Sequence, residues 1–177
     1  MRARLLFQDE ARFGRLSDHR RCWAPWPCRP SVRQQVVREY IYGVLAVSPD
    51  DGKLSSLVLP WVDAQAMSVF LAQVGQDFPG DYCLMVLDGA GWHSAAALRV
   101  PPNLRLLPLP PYSPELNPVE HLWEHLRENY FGNQVFPSLK AVEDRLCLGL
   151  RNLEQQPEIV KSTTCFEWVK PLCLTLN

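Results

Sequence analysis

Three carboxylates carry the chemistry open to this chain. Asp88 follows the apolar run Tyr82 to Leu87, Glu120 stands three residues after Asn117 in Asn-Pro-Val-Glu, and Asp9 follows Leu5-Leu6-Phe7-Gln8. Brought together, three acids repel one another, and unpaired charge held out of water is costly. Divalent cations remove that cost. Mg²⁺, with Mn²⁺ as a substitute, takes a few carboxylate oxygens and keeps several waters, and two such ions about 3.5 to 4 Å apart can activate a water and stabilise the leaving oxygen of a phosphodiester. That reaction needs carboxylates and no side-chain nucleophile.

Each acid also has a plainer local reading. Glu120 with Asn117 fits a capping box, in which the glutamate satisfies the amide at the helix start. Asp88 before Gly89 fits an ordinary turn, and Asp9 fits an exposed strand end. Spacing alone leaves these readings open. Glu10 lies next to Asp9, and Glu124, one turn after Glu120, is placed either to replace it or to support it. His93, five residues after Asp88, is a candidate for a role near metal or phosphate, beside a purely structural one. His121 and His125 share a helical face, but the His-Glu-x-x-His order of zinc proteases is missing and no third ligand is apparent. Of the six cysteines none forms a Cys-x-x-Cys pair, so reduced thiols are expected rather than zinc or disulfides.

The elements that must position the acids can be read from periodicity and punctuation. Arg4 to Gln8 reads as a short buried strand with Asp9 at its end. So abrupt a first strand suggests a domain cut from a longer protein, or one product of a split gene. Residues 12 to 35 mix arginine with Trp23, Trp26 and prolines, which disfavours helix and predicts an extended ribbon or loop. Arginine beside tryptophan can grip phosphate and stack on bases, or it can snorkel over the protein surface. Arg38 to Val47 and Lys53 to Pro60 form a hairpin around Ser48-Pro49-Asp50-Asp51-Gly52. Asp63 caps a helix whose apolar positions are Met67, Phe70, Leu71, Val74 and Phe78. Pro79-Gly80 ends it, and Tyr82 to Leu87 is a strand buried on both faces. A short helix is predicted over Ser94 to Arg99, then a strand over Leu104 to Leu109. Asn117 caps a helix with Pro118 at its first position, running to Phe131 and stopped by Gly132. Ser138 caps a further helix with Leu139, Val142, Leu146, Leu150 and Leu153 inward, and another turn or two follow over Pro157 to Cys165. The order predicts an α/β fold, a mixed sheet of about five strands flanked by helices.

With 177 residues, 47% of them apolar, the chain can bury a core as one domain, residues 1–177. No apolar run approaches the roughly 18 residues that span a bilayer, and the first one stops at Gln8-Asp9-Glu10, too early for a signal peptide. An intracellular, cytoplasmic location is expected, with no membrane partner. The net charge of −1 hides an asymmetry, since residues 1 to 38 hold nine arginines against Asp9, Glu10 and Asp18. That distribution suits a protein that holds a polyanion on one side and cations in an acidic pocket, although it also fits a solvated face.

Four motifs together resemble the catalytic domain of DDE-superfamily transposases, in particular the bacterial mariner-like insertion sequences called the six-thirty family. They are Gln8-Asp9-Glu10-Ala11-Arg12-Phe13-Gly14, Arg21-Cys22-Trp23-Ala24-Pro25, Val86-Leu87-Asp88-Gly89-Ala90-Gly91-Trp92-His93, and Leu109-Pro110-Pro111-Tyr112-Ser113-Pro114-Glu115-Leu116-Asn117-Pro118-Val119-Glu120-His121-Leu122-Trp123. The last is highly specific, and the set spans most of the chain in order. The resemblance implies a ribonuclease-H-like fold and a metal triad of Asp9, Asp88 and Glu120, with Asp9 shared by two ions. It implies cleavage at transposon ends, then attack of the released 3′-hydroxyl on target DNA, usually at a TA dinucleotide. Glu10, Arg12, Trp23, His93, Asn117 and Glu124 become candidates for supporting the acids or contacting DNA. Paired subunits on nucleoid DNA are implied as well. The chain departs from the pattern at Gly89, where the family often has asparagine. The spacing of 31 residues between Asp88 and Glu120 is short for the wider group. No helix-turn-helix region for recognising transposon ends is present, so the expectation includes a separate or missing recognition domain. The alternative is a truncated, non-catalytic fragment that binds DNA or intact subunits and regulates them.

Overall fold

The computed structural model describes residues 2–89, 97–111 and 113–175. Five strands form one sheet: β1 (Arg2–Leu16), β2 (Val36–Val47), β3 (Leu54–Leu59), β4 (Asp81–Leu87) and β5 (Leu104–Pro108), in the order β3-β2-β1-β4-β5. The hairpin half, β1 with β2 and β2 with β3, is antiparallel, whereas β1 with β4 and β4 with β5 are parallel. The sheet is therefore mixed, as the order of elements predicts. The β2–β3 turn closes through Ser48 N–H to Lys53 O at 2.8 Å and Gly52 N–H to Ser48 O at 2.9 Å, with Gly52 at φ +71°, a conformation open to glycine at little cost.

α1 (Ala64–Asp77) follows β3, and its N-cap Asp63 accepts from Ala66 N at 2.7 Å. Its apolar face, Met67, Phe70, Leu71, Val74 and the following Phe78, packs with Leu6, Val44, Met85 and Leu87 on one side of the sheet. The other side buries Leu5, Phe7, Phe13 and Leu45 under α2 (Val119–Leu126) and α3 (Leu139–Glu154), which contribute Val119, Leu122, Trp123, Leu126, Leu146 and Leu150. Each such side chain stabilises the fold by about 1.5 to 3 kcal/mol when fully buried. Gly43 on β2 leaves room for this packing, since a Cβ there would lie 3.2 Å from Trp123 Cη2. α4 (Pro157–Thr164) and α5 (Lys170–Thr175) complete the described chain.

Three expectations need correction. The first strand does not end at Asp9. β1 continues to Leu16 because its ladder with β2, which pairs Asp9 with Leu45 and Phe13 with Ile41, carries on after β4 has stopped. The helix from Val119 does reach Phe131, but Arg127–Phe131 is π-helical. There Asn129 Nδ2 donates to His125 O at 2.8 Å, occupying the carbonyl that its own amide would take in an α-helix. In the predicted helix over Ser94 to Arg99, positions 94–96 lie outside the described residues and 97–99 are not helical. Cys83 and Cys173 are buried, but Cys22 and Cys28 are exposed rather than apolar-packed, and all six described cysteines are free thiols. Among the described residues, no helix is long and apolar enough to cross a membrane.

Candidate active site

Parallel pairing of β1 with β4 sets Phe7 opposite Val86. Two residues further on, Asp9 stands level with Asp88, just beyond the end of β4. Side chains on a strand alternate between faces, so Asp9 lies on the face of Leu5 and Phe7, the one that α2 covers. Asp88 shares the face of Leu84 and Val86 by the same alternation. The register of two neighbouring strands thus brings together two acids that are 79 positions apart in sequence.

The third acid is delivered by a buried asparagine. Asn117 Nδ2 donates to the carbonyl oxygen of Gln8 at 2.9 Å, while Asn117 Oδ1 accepts from Val119 N at 3.3 Å at the start of α2. One side chain therefore ties the helix start to the strand residue beside Asp9. A short 3-10 turn at Pro114–Leu116 precedes it, and Asn117 N–H donates to Pro114 O at 2.9 Å. The capping amide is thereby satisfied without Glu120, so the capping-box reading does not apply. The Glu120 side chain instead lines a cleft of about 410 Å³.

Asp9, Asp88, Gly89, Asn117 and Glu120 line that cleft together with Leu109, Pro110, Pro111, Ser113 and Pro114. The proline-rich part of the lining is anchored to β4 by Leu109 N–H to Leu87 O at 2.7 Å. Prolines fix φ and carry no N–H that needs a partner, which suits a wall open to solvent. Asp9 is 9% exposed, whereas Asp88 and Glu120 are exposed. Burial pushes the Asp9 carboxyl up to about 8, and the charges of Glu120, Glu10 and Asp88 add to it against a hydrogen bond from the Glu10 amide. An acid held protonated by burial and by its acidic neighbours is one whose proton a cation would displace.

Chemistry decides which cation fits. The donors facing the cleft are carboxylate and amide oxygens, the ligand set of Mg²⁺ or Mn²⁺ rather than of zinc. Among the described residues, no group of three or more His, Cys, Asp or Glu side chains is gathered closely enough to hold one ion.

The remaining sequence candidates separate by position. Glu10 accepts from Gln8 Nε2 at 2.8 Å and, by alternation, faces away from Asp9. Gln8 Oε1 is buried with no hydrogen-bond partner. Arg12 shares that opposite face and stacks over the Tyr40 ring at 4.3 Å. Glu124 does not line the cleft; it accepts from Arg20 Nη1 at 2.9 Å, because the helical turn carries it past the strand ends. Trp23 is exposed and is not part of the cleft lining. His93 lies outside the described residues. His121 packs edge-on against Phe166, with ring centroids 5.1 Å apart. Sequence reasoning missed the part played by Gln8, whose contribution is a backbone carbonyl and leaves no signal in residue type.

The family profile of DDE superfamily endonucleases matches residues 4–143. The uncharacterized protein y4pE/y4sA of Sinorhizobium fredii (strain NBRC 101917 / NGR234) is 41% identical over 130 residues, 73% of this chain and 95% of that protein. Among solved structures, the Mos1 strand transfer complex superposes with a TM-score of 0.61 at 16% identity, covering 91% of this chain and 54% of that one. The Mos1 mariner paired end complex with Mn gives 0.58 at 16% identity, covering 91% and 56%. The chain spans about half the length of these Mos1 chains. At such identities the likeness shows the fold, which is ribonuclease-H-like.

Proposed function

The chain belongs to the DDE superfamily endonucleases, and on that premise we propose that it is the catalytic domain of a DNA transposase in which Asp9, Asp88 and Glu120 hold two Mg²⁺ or Mn²⁺ ions. The observation that supports this reading best is the cleft itself. Strand register and the Asn117 brace bring three acids from distant parts of the chain to its lining, and the buried member carries a carboxyl raised to about 8. When bound, the ions supply activation of water and stabilisation of the leaving oxygen.

The protein's own residues supply position. Asp9, held on a central strand and least exposed, would hold the ions together with Asp88 and Glu120. Asn117 ties the start of the helix that carries Glu120 to the strand that carries Asp9. Pro110, Pro111 and Pro114 line the same cleft. Hydrolysis of the phosphodiester breaks the bond to the 3′-oxygen and leaves a 3′-hydroxyl and a 5′-phosphate. In strand transfer that 3′-hydroxyl attacks a target phosphorus, loses its proton and displaces the target's own 3′-oxygen. The substrate is DNA, both transposon end and target, and the reaction is cytoplasmic, on the nucleoid. Two subunits work together on DNA, and end recognition comes from a region outside the catalytic fold.

The test is nicking of an end-containing duplex in Mg²⁺ or Mn²⁺, with a recognition region supplied, by the wild type and by Asp9→Asn, Asp88→Asn and Glu120→Gln. Each variant is expected to lose about a hundredfold or more in rate, the scale of removing one electrostatic group from an active site. Undiminished cutting by any one removes that residue from the triad. No cutting by the wild type, with DNA or subunit binding retained, replaces the catalytic reading by the regulatory one.

A further inference from the structure

A second functional surface lies on the segment between β1 and β2. Ser17 and Gln35 close its base, through Ser17 N–H to Gln35 O at 3.0 Å and Gln35 N–H to Ser17 Oγ at 2.7 Å. Asn133 grips one side, accepting from Arg20 N–H at 2.9 Å and donating to Arg20 O at 2.9 Å, and Gln35 is bonded both ways to the Phe136 backbone at 3.0 Å. Beyond this pinned base, every residue from 21 to 34 is exposed. Trp23 is 103% exposed and Trp26 94%. These indoles cover no apolar surface, so the snorkelling alternative open at the level of sequence does not describe them. Two tryptophans left wholly in water forgo the gain of burial, and large aromatics exposed together are a feature of binding surfaces.

Charge selects the occupant. Residues 17–35 carry four arginines against one aspartate, a net +3 in a chain of net −1. Arg21, Arg29 and Arg33 are exposed in the same segment as the two tryptophans. Arginine on phosphate with aromatic faces on bases is how proteins hold single-stranded nucleic acid without reading its sequence. Bases in a duplex are already stacked, which leaves their faces closed to an indole. Two residues separate the tryptophans, a reach of at most about 10 Å, the scale of neighbouring unpaired nucleotides. The base of the segment is also tied toward the cleft, because Arg20 pairs with Glu124, one helical turn from Glu120.

We propose that residues 17–35 form a single-strand grip, with Trp23 and Trp26 stacking on unpaired bases and Arg21, Arg29 and Arg33 on the adjoining phosphates, so that the unpaired strand beside a cut is held next to the acid cleft. The site's place in the reaction rests on the endonuclease reading, whereas binding itself does not.

Binding is measured with the whole chain in EDTA, by fluorescence anisotropy of a labelled oligothymidylate and of a duplex of equal length. The single strand binds more tightly than the duplex. Trp23→Ala and Trp26→Ala each weaken single-strand binding by about fivefold to a hundredfold, and the phenylalanine variants recover most of it. Each arginine-to-alanine change lowers the salt slope by about 0.7. A wild-type chain that grips the oligonucleotide but does not nick counts against the catalytic reading alone, and one that nicks without gripping counts against the grip alone. Wild-type affinity in the Trp23→Ala, Trp26→Ala double variant overturns the grip, as does a preference for duplex. Loss of self-association in that variant with oligonucleotide affinity unchanged assigns the surface to a protein partner instead.

Discussion

Asn117 donates from Nδ2 to the carbonyl oxygen of Gln8 at 2.9 Å, a buried contact between residues 109 positions apart. It links the start of α2 to the strand residue that precedes Asp9, and so fixes Glu120 relative to Asp9. Asn117→Ala leaves the Gln8 carbonyl without its donor and is expected to cost about 1 to 3 kcal/mol of stability in a denaturant titration. Asn117→Asp sets an acceptor against an acceptor and costs at least as much. Displacing Glu120 by an ångström can lower nicking by up to about a hundredfold. A variant that melts early yet nicks at the wild-type rate would show that the contact is structural only.

Asp9 predicts an unusual pH dependence. In the unfolded chain it loses its proton near pH 4, whereas in the fold it keeps it to about 8. Between those values the native state holds the extra proton, so the metal-free protein loses stability as pH rises across the window. Asp9→Asn removes the slope and leaves the metal-free protein on the order of 1 to 3 kcal/mol more stable at its upper end. A carboxylate must be deprotonated to bind a cation, so Mg²⁺ affinity climbs with pH until the carboxyl is ionised. Calorimetry at neutral pH in two buffers of different ionisation enthalpy should record proton release on Mg²⁺ addition. A proton count of zero would contradict it.

At the other end of β1, Arg4 is only 6% exposed and donates to Ser48 Oγ at 2.9 Å, to Asp51 Oδ2 at 2.8 Å and to the Asp81 carboxylate. Arg4→Ala strands two carboxylates and should cost about 3 to 5 kcal/mol. Burial raises the Asp51 carboxyl, but the donors from Arg4 and Ser48 outweigh it and hold it below the usual range. Stability from Asp51 is therefore full above its unfolded value and is lost as pH falls through the folded one, opposite in sense to Asp9. Thermal melts in acid should show a shallower decline in Asp51→Asn than in the wild type.

Gly89 lines the cleft beside Asp88, and a Cβ built there meets nothing within 4 Å. Gly89→Asn should fold without penalty, its melting temperature unchanged or raised by the equivalent of less than about 1 kcal/mol, because the unfolded chain loses freedom. It also places a polar side chain at the cleft beside Asp88. A lowered melting temperature would show that the backbone at this position requires glycine.

Much of the fold is legible in local pattern. The hairpin around Gly52, the Asp63-capped helix with Met67, Phe70, Leu71 and Val74 inward, and the Ser138-capped helix with Val142, Leu146 and Leu150 inward all stand as their periodicity predicts. Periodicity works there because each element's buried face is written within a few turns of its own chain. What it misjudges is extent. β1 runs past Asp9 because strand length is set by the partner β2, and Arg127–Phe131 widens because one asparagine side chain occupies a carbonyl.

By itself, then, the sequence determined most of the elements, named the three candidate acids and, through motif resemblance, pointed to the family. Only the tertiary structure decided between a capping glutamate and a cleft-lining one, because that choice turns on Asn117, whose amide is satisfied by Pro114 and whose side chain reaches Gln8. Only the fold could release Glu124 from the cleft to Arg20 and reveal Trp23 as bare rather than snorkelled. The physical reason is the same in each case. Residue type and spacing fix what a side chain can do, whereas burial, charge neighbours and hydrogen-bond partners, which fix what it does, come from segments far away in the chain.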